Sequence, residues 1–457
     1  MGTDFIGFVT GLDAGAMPGK VKAVLRRSFA DTMMVAAAGS TTEMSGIARE
    51  FAGRHWLSAP ASGQARMLFD GRHVAPAGAA FAGAVTIDSI DAHDGNSRVK
   101  GHAGSALFPG LLAIADARRG LGRAVSGDEF MTALAIGYEV AYRAGLALHG
   151  TAADYHTSGA WTAVGLAVAA GRMLGLDPQT IRHAAGIAEY HGPRSPMMRC
   201  IDHPTMLRDG VGWGAPTGVS AAQMAELGFT GAPALTIEGD DAAPWWDDLG
   251  ERWEIMETHY KYHPVCRWAH PAIDGALGLM EEYGLGPADV ERVRIDTFHN
   301  ATRLAGHEPK TLDEISYGIA FPVAAAIVRG GIGLEELSSD VLADPEILRI
   351  SRATELVDDA QLTEISVGKR WAAVTLQLRD GRQVTAPPRT PRGDPDDPLS
   401  EADFAEKYRK LAHGILGVAR AERIVDDALC FDEEPDDRFG KLLDEVYNPM
   451  VAEHAGK

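Results

Sequence analysis

The chain has 457 residues, of which 46% are hydrophobic and 23% charged, and its formal net charge is −20. That length exceeds one typical core and predicts two domains, while the acidic balance excludes nucleic acid and anionic membrane as partners, since both need clustered Lys and Arg. Cys200, Cys266 and Cys430 stand far apart with no C-x-x-C pair, which predicts a reducing compartment and no disulfide framework. Residues 1–5 lack the basic-then-apolar layout of a signal peptide. No apolar run is long enough to span a membrane. The expectation is a cytoplasmic protein.

Residues 1–268 are rich in Ala and Gly and read as successive helices. Val21–Ala38 has helical apolar spacing and ends at Gly39, a predicted C′ glycine. Next come Asp91-Ala92-His93-Asp94 and Gly101-His102-Ala103-Gly104, ahead of the small apolar run Ser105–Asp116, which predicts a buried helix. Carboxylates and imidazoles at the mouth of a buried helix suit proton transfer near neutral pH. An ordinary polar loop is the alternative. Gly120-Leu121-Gly122 follows no strand and is not a dinucleotide fingerprint. Neither a Walker motif nor a G-x-S-x-G elbow is present.

Ser126-Gly127-Asp128-Glu129 is a capping box opening a helix to Leu148. His156 precedes the apolar helix Ser158–Leu174, where the positive dipole end favours a neutral, base-competent imidazole. Asp177-Pro178 starts a helix to Tyr190, and Gly214–Leu227 forms another. Between them, Arg194, Arg199 and Arg208 mark a loop that is either an anion clamp or a solvated segment.

His259-Tyr260-Lys261-Tyr262-His263-Pro264 lies at the apparent domain junction, and its Lys, His and Tyr suit an anionic substrate in an interdomain cleft. His259 and His263 share i, i+4 spacing, but Pro264 ends any helix and no H-E-x-x-H pattern exists, so no metal is expected. Beyond residue 268, Val290–Phe298 alternates as a strand, and Ala373–Arg379, Asp380-Gly381 and Arg382–Thr385 predict a hairpin. Helices are expected at Tyr317–Arg329 and Asp344–Asp358. A proline-rich connector runs from Pro387 to Pro398, and Ser400–Asp403 caps a return to helix. The expected fold is mostly α: a large helical domain (1–268, resuming at 396–457) with an inserted, smaller α+β lid domain (269–395). The composition changes place lid hinges at Arg267–Pro271 and Pro387–Pro398.

Together these motifs resemble the MmgE/PrpD family of 2-methylcitrate dehydratases, cis-aconitate decarboxylases and iminodisuccinate epimerases. The resemblance rests on Asp31–Gly39, Ala79–Gly83, Ser89–Gly95, Gly101–Gly104, Gly137–Val140, Tyr155–Ser158, Lys261–Pro264 and Arg392–Ser400, in family order and spacing. It implies a helical domain plus an α+β lid with the active site between them, usually in a homodimer, without metal or organic cofactor. Asp91, His102, His156 and Lys261 match the family's catalytic positions. Arg208 falls near a family lysine, and Tyr317 lies two residues from the position of the lid tyrosine, which is Ile319. Gly95 replaces a threonine. Asp94, Tyr317, Arg208 and Arg267 are the expected substrate-binding residues.

The implied chemistry is removal of a proton α to a carboxylate of a di- or tricarboxylic acid, with cationic groups holding the enediolate charge. A hydro-lyase resembling 2-methylcitrate dehydratase is the first expectation and an epimerase the second; a decarboxylase uses the same groups. From another class, the chain could be a catalytically silent scaffold homologue, against which the retained His102, His156 and Lys261 argue.

Overall fold

The computed structural model describes residues 4–433 and 438–450. Helix α1 (Gly19–Gly39) is followed by α2 (Glu43–His55), by the short strand pair β1 (Ala65–Arg66) and β2 (His73–Val74), and by α3 (Pro76–Asp88). Gly39 is the last helical residue rather than a left-handed cap. Its lack of a side chain serves packing, since a Cβ there would run into the Thr86 carbonyl of α3.

A two-residue strand, β3 (Gly95–Asn96), leads to α4 (Gly104–Gly120), in which every residue from Gly104 to Ala117 is buried. Helix α5 (Gly127–Thr151) begins at the expected capping box: Glu129 N–H donates to Ser126 Oγ at 3.1 Å, and Ser126 N–H to the Glu129 carboxylate at 2.9 Å. Helices α6 (Gly159–Leu174), α7 (Pro178–His191, capped by Asp177) and α8 (Val211–Glu226) complete the bundle. Glycine and alanine on α6 let α5 and α8 approach at backbone distance, so α6 is the central helix.

Strand β4 (Thr258–His259) pairs antiparallel with β3, and α9 (His270–Glu282) leads into the α+β region. There the sheet order is β6-β5-β7-β8, with β5 (Val290–Thr297) parallel to β6 (Thr354–Asp358) and antiparallel to β7 (Ala372–Leu378), which pairs with β8 (Gln383–Arg389). The expected helix Asp344–Asp358 is therefore corrected: α11 (Pro345–Arg352) ends and a strand follows, because Glu355-Leu356-Val357 gains ladder bonds to β5. Tyr317 likewise sits in a turn before α10 (Ala320–Arg329) rather than inside it. Strand β8 runs on through Pro387 and Pro388, which is possible because β8 is an edge and its outer side needs no donors.

After β8 the chain packs α12 (Glu401–Tyr408) and α13 (Val418–Ala428) against α1, and α14 (Arg438–Tyr447) against α13. Lys407 on α12 makes a buried 2.6 Å ion pair with Asp31 on α1. The fold is thus mostly α with a smaller α+β region. All three cysteines are free. Among the described residues no helix is long and apolar enough to cross a membrane.

Candidate active site

Asp88 ends α3, and the segment from there to α4 carries Asp91, His93, Asp94 and His102; the four up to Asp94 are buried and His102 is half-buried, and β3 within this segment pairs with β4. The segment just after β4 delivers Lys261, the loop before α8 delivers Asp209, and the α+β side delivers Trp268, Tyr317 and Arg370. Of these, Asp91, His102, Lys261, Asp209, Trp268, Tyr317 and Arg370 line one cleft between the helical and sheet regions, with Lys100, Tyr155, His259 and Arg267, while Asp88, His93 and Asp94 do not line it.

At the floor, the fully buried Lys261 ammonium donates to Asp91. Burial alone would raise the Asp91 carboxyl, but the adjoining Lys261 charge overrides it and holds the group well below the usual carboxylate range. Asp91 is thus ionised. His102 Nδ1 lies 2.6 Å from the Asp94 carbonyl oxygen. Nδ1 therefore carries the ring proton and Nε2 the lone pair. Burial, then the nearby Lys261 charge, keeps this imidazole neutral.

His102 Nε2 is 3.4 Å from Asp209 Oδ2. Burial, then the charges of Asp88 and Asp91, push the Asp209 carboxyl well above its ordinary range, which favours its protonated form. Asp209 N–H in turn donates to Asp88 Oδ2 at 3.2 Å. His93 packs its ring edge-on to His102 at 4.4 Å between centroids, with Nε2 3.3 Å from Asp88; burial lowers its pKa to about 3. A neutral base, an adjacent carboxylic acid and a cation with its counter-ion stand together out of water.

Asp91, His102, Lys261, Tyr317 and Arg267 all line this cleft. Arg267 is also fastened, to Asp394 at 2.7 Å and to the Arg392 and Tyr260 carbonyls, so it ties together the two segments joining the regions. Asp94 stands behind the lining: Tyr138 donates to its carboxylate at 2.5 Å, and its carbonyl orients His102. Arg208 is also behind, paired with Asp313 at 2.7 Å, with its guanidinium 5.5 Å from the Tyr317 ring centre.

His156 is not brought to the cleft. Its ring stacks parallel to His149 at 6.4 Å, and the neighbouring residue, Tyr155, faces the cleft instead. His259 and His263 also separate: His263 Nε2 is 2.9 Å from Asp274, whereas His259 lines the cleft with Nε2 buried and unpartnered. Gly95 explains how His259 fits. A Cβ at Gly95 would sit 2.7 Å from His102 Nδ1 and 2.8 Å from His259 Nε2, so the missing side chain leaves room for both rings.

Asp91, His93 and His102 offer three donor atoms within 4.8 Å of one another, the one such cluster among the described residues. His93 Nε2 already faces Asp88, His102 Nδ1 faces the Asp94 carbonyl, and Lys261 occupies the place where a cation would neutralise Asp91. The donor set therefore fits an ammonium–carboxylate pair better than a metal ion.

Sequence reasoning did not select Asp88, Asp209, His93, Lys100 or Arg370. His93 was within the quoted motif. Asp209 directly follows Arg208, and its signal was an acidic residue beside a glycine ahead of an apolar helix. Arg370 had no local signal.

Such a cluster is equipped for acid–base chemistry beside a bound anion. The comparisons assign the family: the chain belongs to the MmgE/PrpD family, its N-terminal domain matching residues 3–244 and its C-terminal domain residues 263–433. Similar curated proteins include the cis-aconitate decarboxylase-like protein oryM of Aspergillus oryzae, 24% identical over 80% of this chain and 81% of that protein. The cis-aconitate decarboxylase of Aspergillus terreus is 23% identical over 82% of each chain. The cis-aconitate decarboxylase of Homo sapiens is 25% identical over 91% of this chain and 89% of its own.

Proposed function

We propose that this protein is a lyase that removes water from a hydroxylated di- or tricarboxylic acid by abstracting the proton α to a carboxylate. The observation that carries this reading is the 3.4 Å contact between His102 Nε2 and Asp209 Oδ2 beside the Lys261–Asp91 pair; burial favours the neutral imidazole and the protonated carboxyl there.

The α-proton passes to His102 Nε2. The C–H electron pair moves into the carboxylate, and the resulting enediolate charge is held by Lys261, whose N–H groups not engaged by Asp91 face the cleft. The pair then forms the C=C bond as the β-hydroxyl leaves, taking the proton of Asp209 to depart as water. His102 now carries one proton too many and Asp209 one too few. Direct transfer across their contact restores the resting state. Asp91 holds Lys261 in place.

A second reading is decarboxylation, favoured by the similarity to cis-aconitate decarboxylases. The same cation would then steady the carbanion left as carbon dioxide departs, and an acid would reprotonate it. Proton NMR of a panel of di- and tricarboxylates, incubated with the protein, tests both. A new vinyl signal with no loss of carbon supports dehydration. Carbon dioxide release supports the second reading. A changed diastereomer would point to an epimerase. No reaction with any acid would favour a silent homologue.

A further inference from the structure

Five cations line or back the cleft, and three already have protein carboxylates: Lys261 with Asp91, Arg267 with Asp394 and Arg208 with Asp313. Lys100 and Arg370 differ. Both line the cleft, and neither forms an ion pair among the described residues. Arg370 comes from the sheet region and is only 6% exposed. Its Nη1 donates to the Ser366 and Lys369 carbonyls at 3.2 and 2.8 Å, and its guanidinium lies 5.9 Å from Trp268 and 5.8 Å from Phe298. This fixes one end of the guanidinium and, among the described residues, leaves the other without a protein acceptor.

Lys100 comes from the helical region, in the turn between β3 and His102. Its φ of +58° is a left-handed conformation that a side chain other than glycine's rarely adopts. Strain of this kind concentrates where a side chain must be aimed at a ligand. The ammonium stands 5.4 Å from the Tyr155 ring centre, and the Tyr155 hydroxyl donates to the Lys100 carbonyl. Lys100 is exposed at the rim of the cleft, and partial desolvation and then the charge of Arg370 lower its pKa. Two cations without protein carboxylates face the same cleft from its two sides, an arrangement that suits an anion between them. In a chain of net charge −20, this local excess of positive charge also offsets the global field.

We propose that Lys100 and Arg370 form a carboxylate-binding subsite at the mouth of the cleft, gripping a substrate carboxylate remote from the reacting carbon. This rests on the acid-substrate reading above and deepens it: the substrate must carry a second carboxylate, and that group bridges the helical and sheet regions. The Arg edge supplies paired N–H donors and Lys100 a point charge.

Ligand-observed NMR titration tests this without turnover. The probes are tricarballylate, which has no hydroxyl to lose, and propionate, which lacks any remote carboxylate. The proteins are the wild type, Arg370→Gln, Arg370→Lys and Lys100→Gly. Glycine removes the charge while relieving the backbone, so its unfolding midpoint should not fall. Arg370→Gln and Lys100→Gly are expected to weaken tricarballylate by roughly tenfold, Arg370→Lys by less, and all to leave propionate as in the wild type. Wild-type binding of tricarballylate with variants within about twofold would overturn the subsite and leave the acid reading standing. Equal losses for both probes would show a general effect on the fold and would also overturn it. A wild type that binds neither acid would overturn the subsite and the acid reading together.

Discussion

The two walls of the cleft are built on different principles. The helical wall presents Asp91, His102 and Asp209, every one held by a second protein group, with His93 packed behind His102. The sheet wall presents Trp268, Tyr317 and Arg370, which shape the opening and add an unpaired charge. In the proposed reading, reactivity is fixed on the helical wall and recognition is shared with the sheet wall. Changes on the first should alter turnover, and changes on the second should alter binding.

The largest effect is expected from Lys261→Met. It leaves Asp91 buried without its counter-ion, which should cost about 3–5 kcal/mol of folding stability and lower turnover by roughly a thousandfold. Adding Asp91→Asn should restore much of the stability in a denaturant titration while turnover stays low. Recovery of both would place the pair outside the chemistry.

Next in size is Lys407→Met. Lys407 pairs with Asp31 and donates to the Ala92 carbonyl at 2.9 Å, so it braces the site loop from behind. Stability should fall by about 3–5 kcal/mol, with kcat lowered far less than by Lys261→Met. Calorimetry and initial rates on the same preparation separate the two effects.

Asp209→Asn should act through pH. The folded-state pKa of Asp209 is raised, so the native state holds its proton more tightly than the unfolded chain does. Its contribution to stability is complete below the ordinary carboxylate range and is lost as pH rises through the raised value. The difference in unfolding free energy between wild type and Asp209→Asn should therefore fall with increasing pH, and the alkaline limb of kcat should vanish in the variant. Parallel stability curves for the two proteins would contradict the assignment of an acid.

Much of the helical wall was legible in the sequence because its signals are local. The capping boxes at Ser126 and Ser400 and the Asp177 cap each use groups within one turn, and all three form. Asp91, His102 and Lys261 were singled out by residue type and motif, and the fold brings them together. Other parts depend on partners distant in sequence. Lys407 meets Asp31 across the length of the chain, and Arg370 reaches the cleft only through the sheet. Residues 354–358 extend a helical apolar pattern, but pairing with β5 makes them a strand. His156 carried the right chemistry at a helix start, yet adjacent residues in extended backbone face opposite ways, and Tyr155 took the cleft.

The most direct test of the central claim is deuterium wash-in at the α-carbon of a bound polycarboxylate, measured by NMR in deuterium oxide for wild type and His102→Gln. If His102 Nε2 is the base, wild type exchanges the α-proton and His102→Gln does so roughly a hundredfold to ten-thousandfold more slowly, with tricarballylate affinity and unfolding midpoint close to wild type. Exchange at the wild-type rate in His102→Gln would remove His102 from the chemistry.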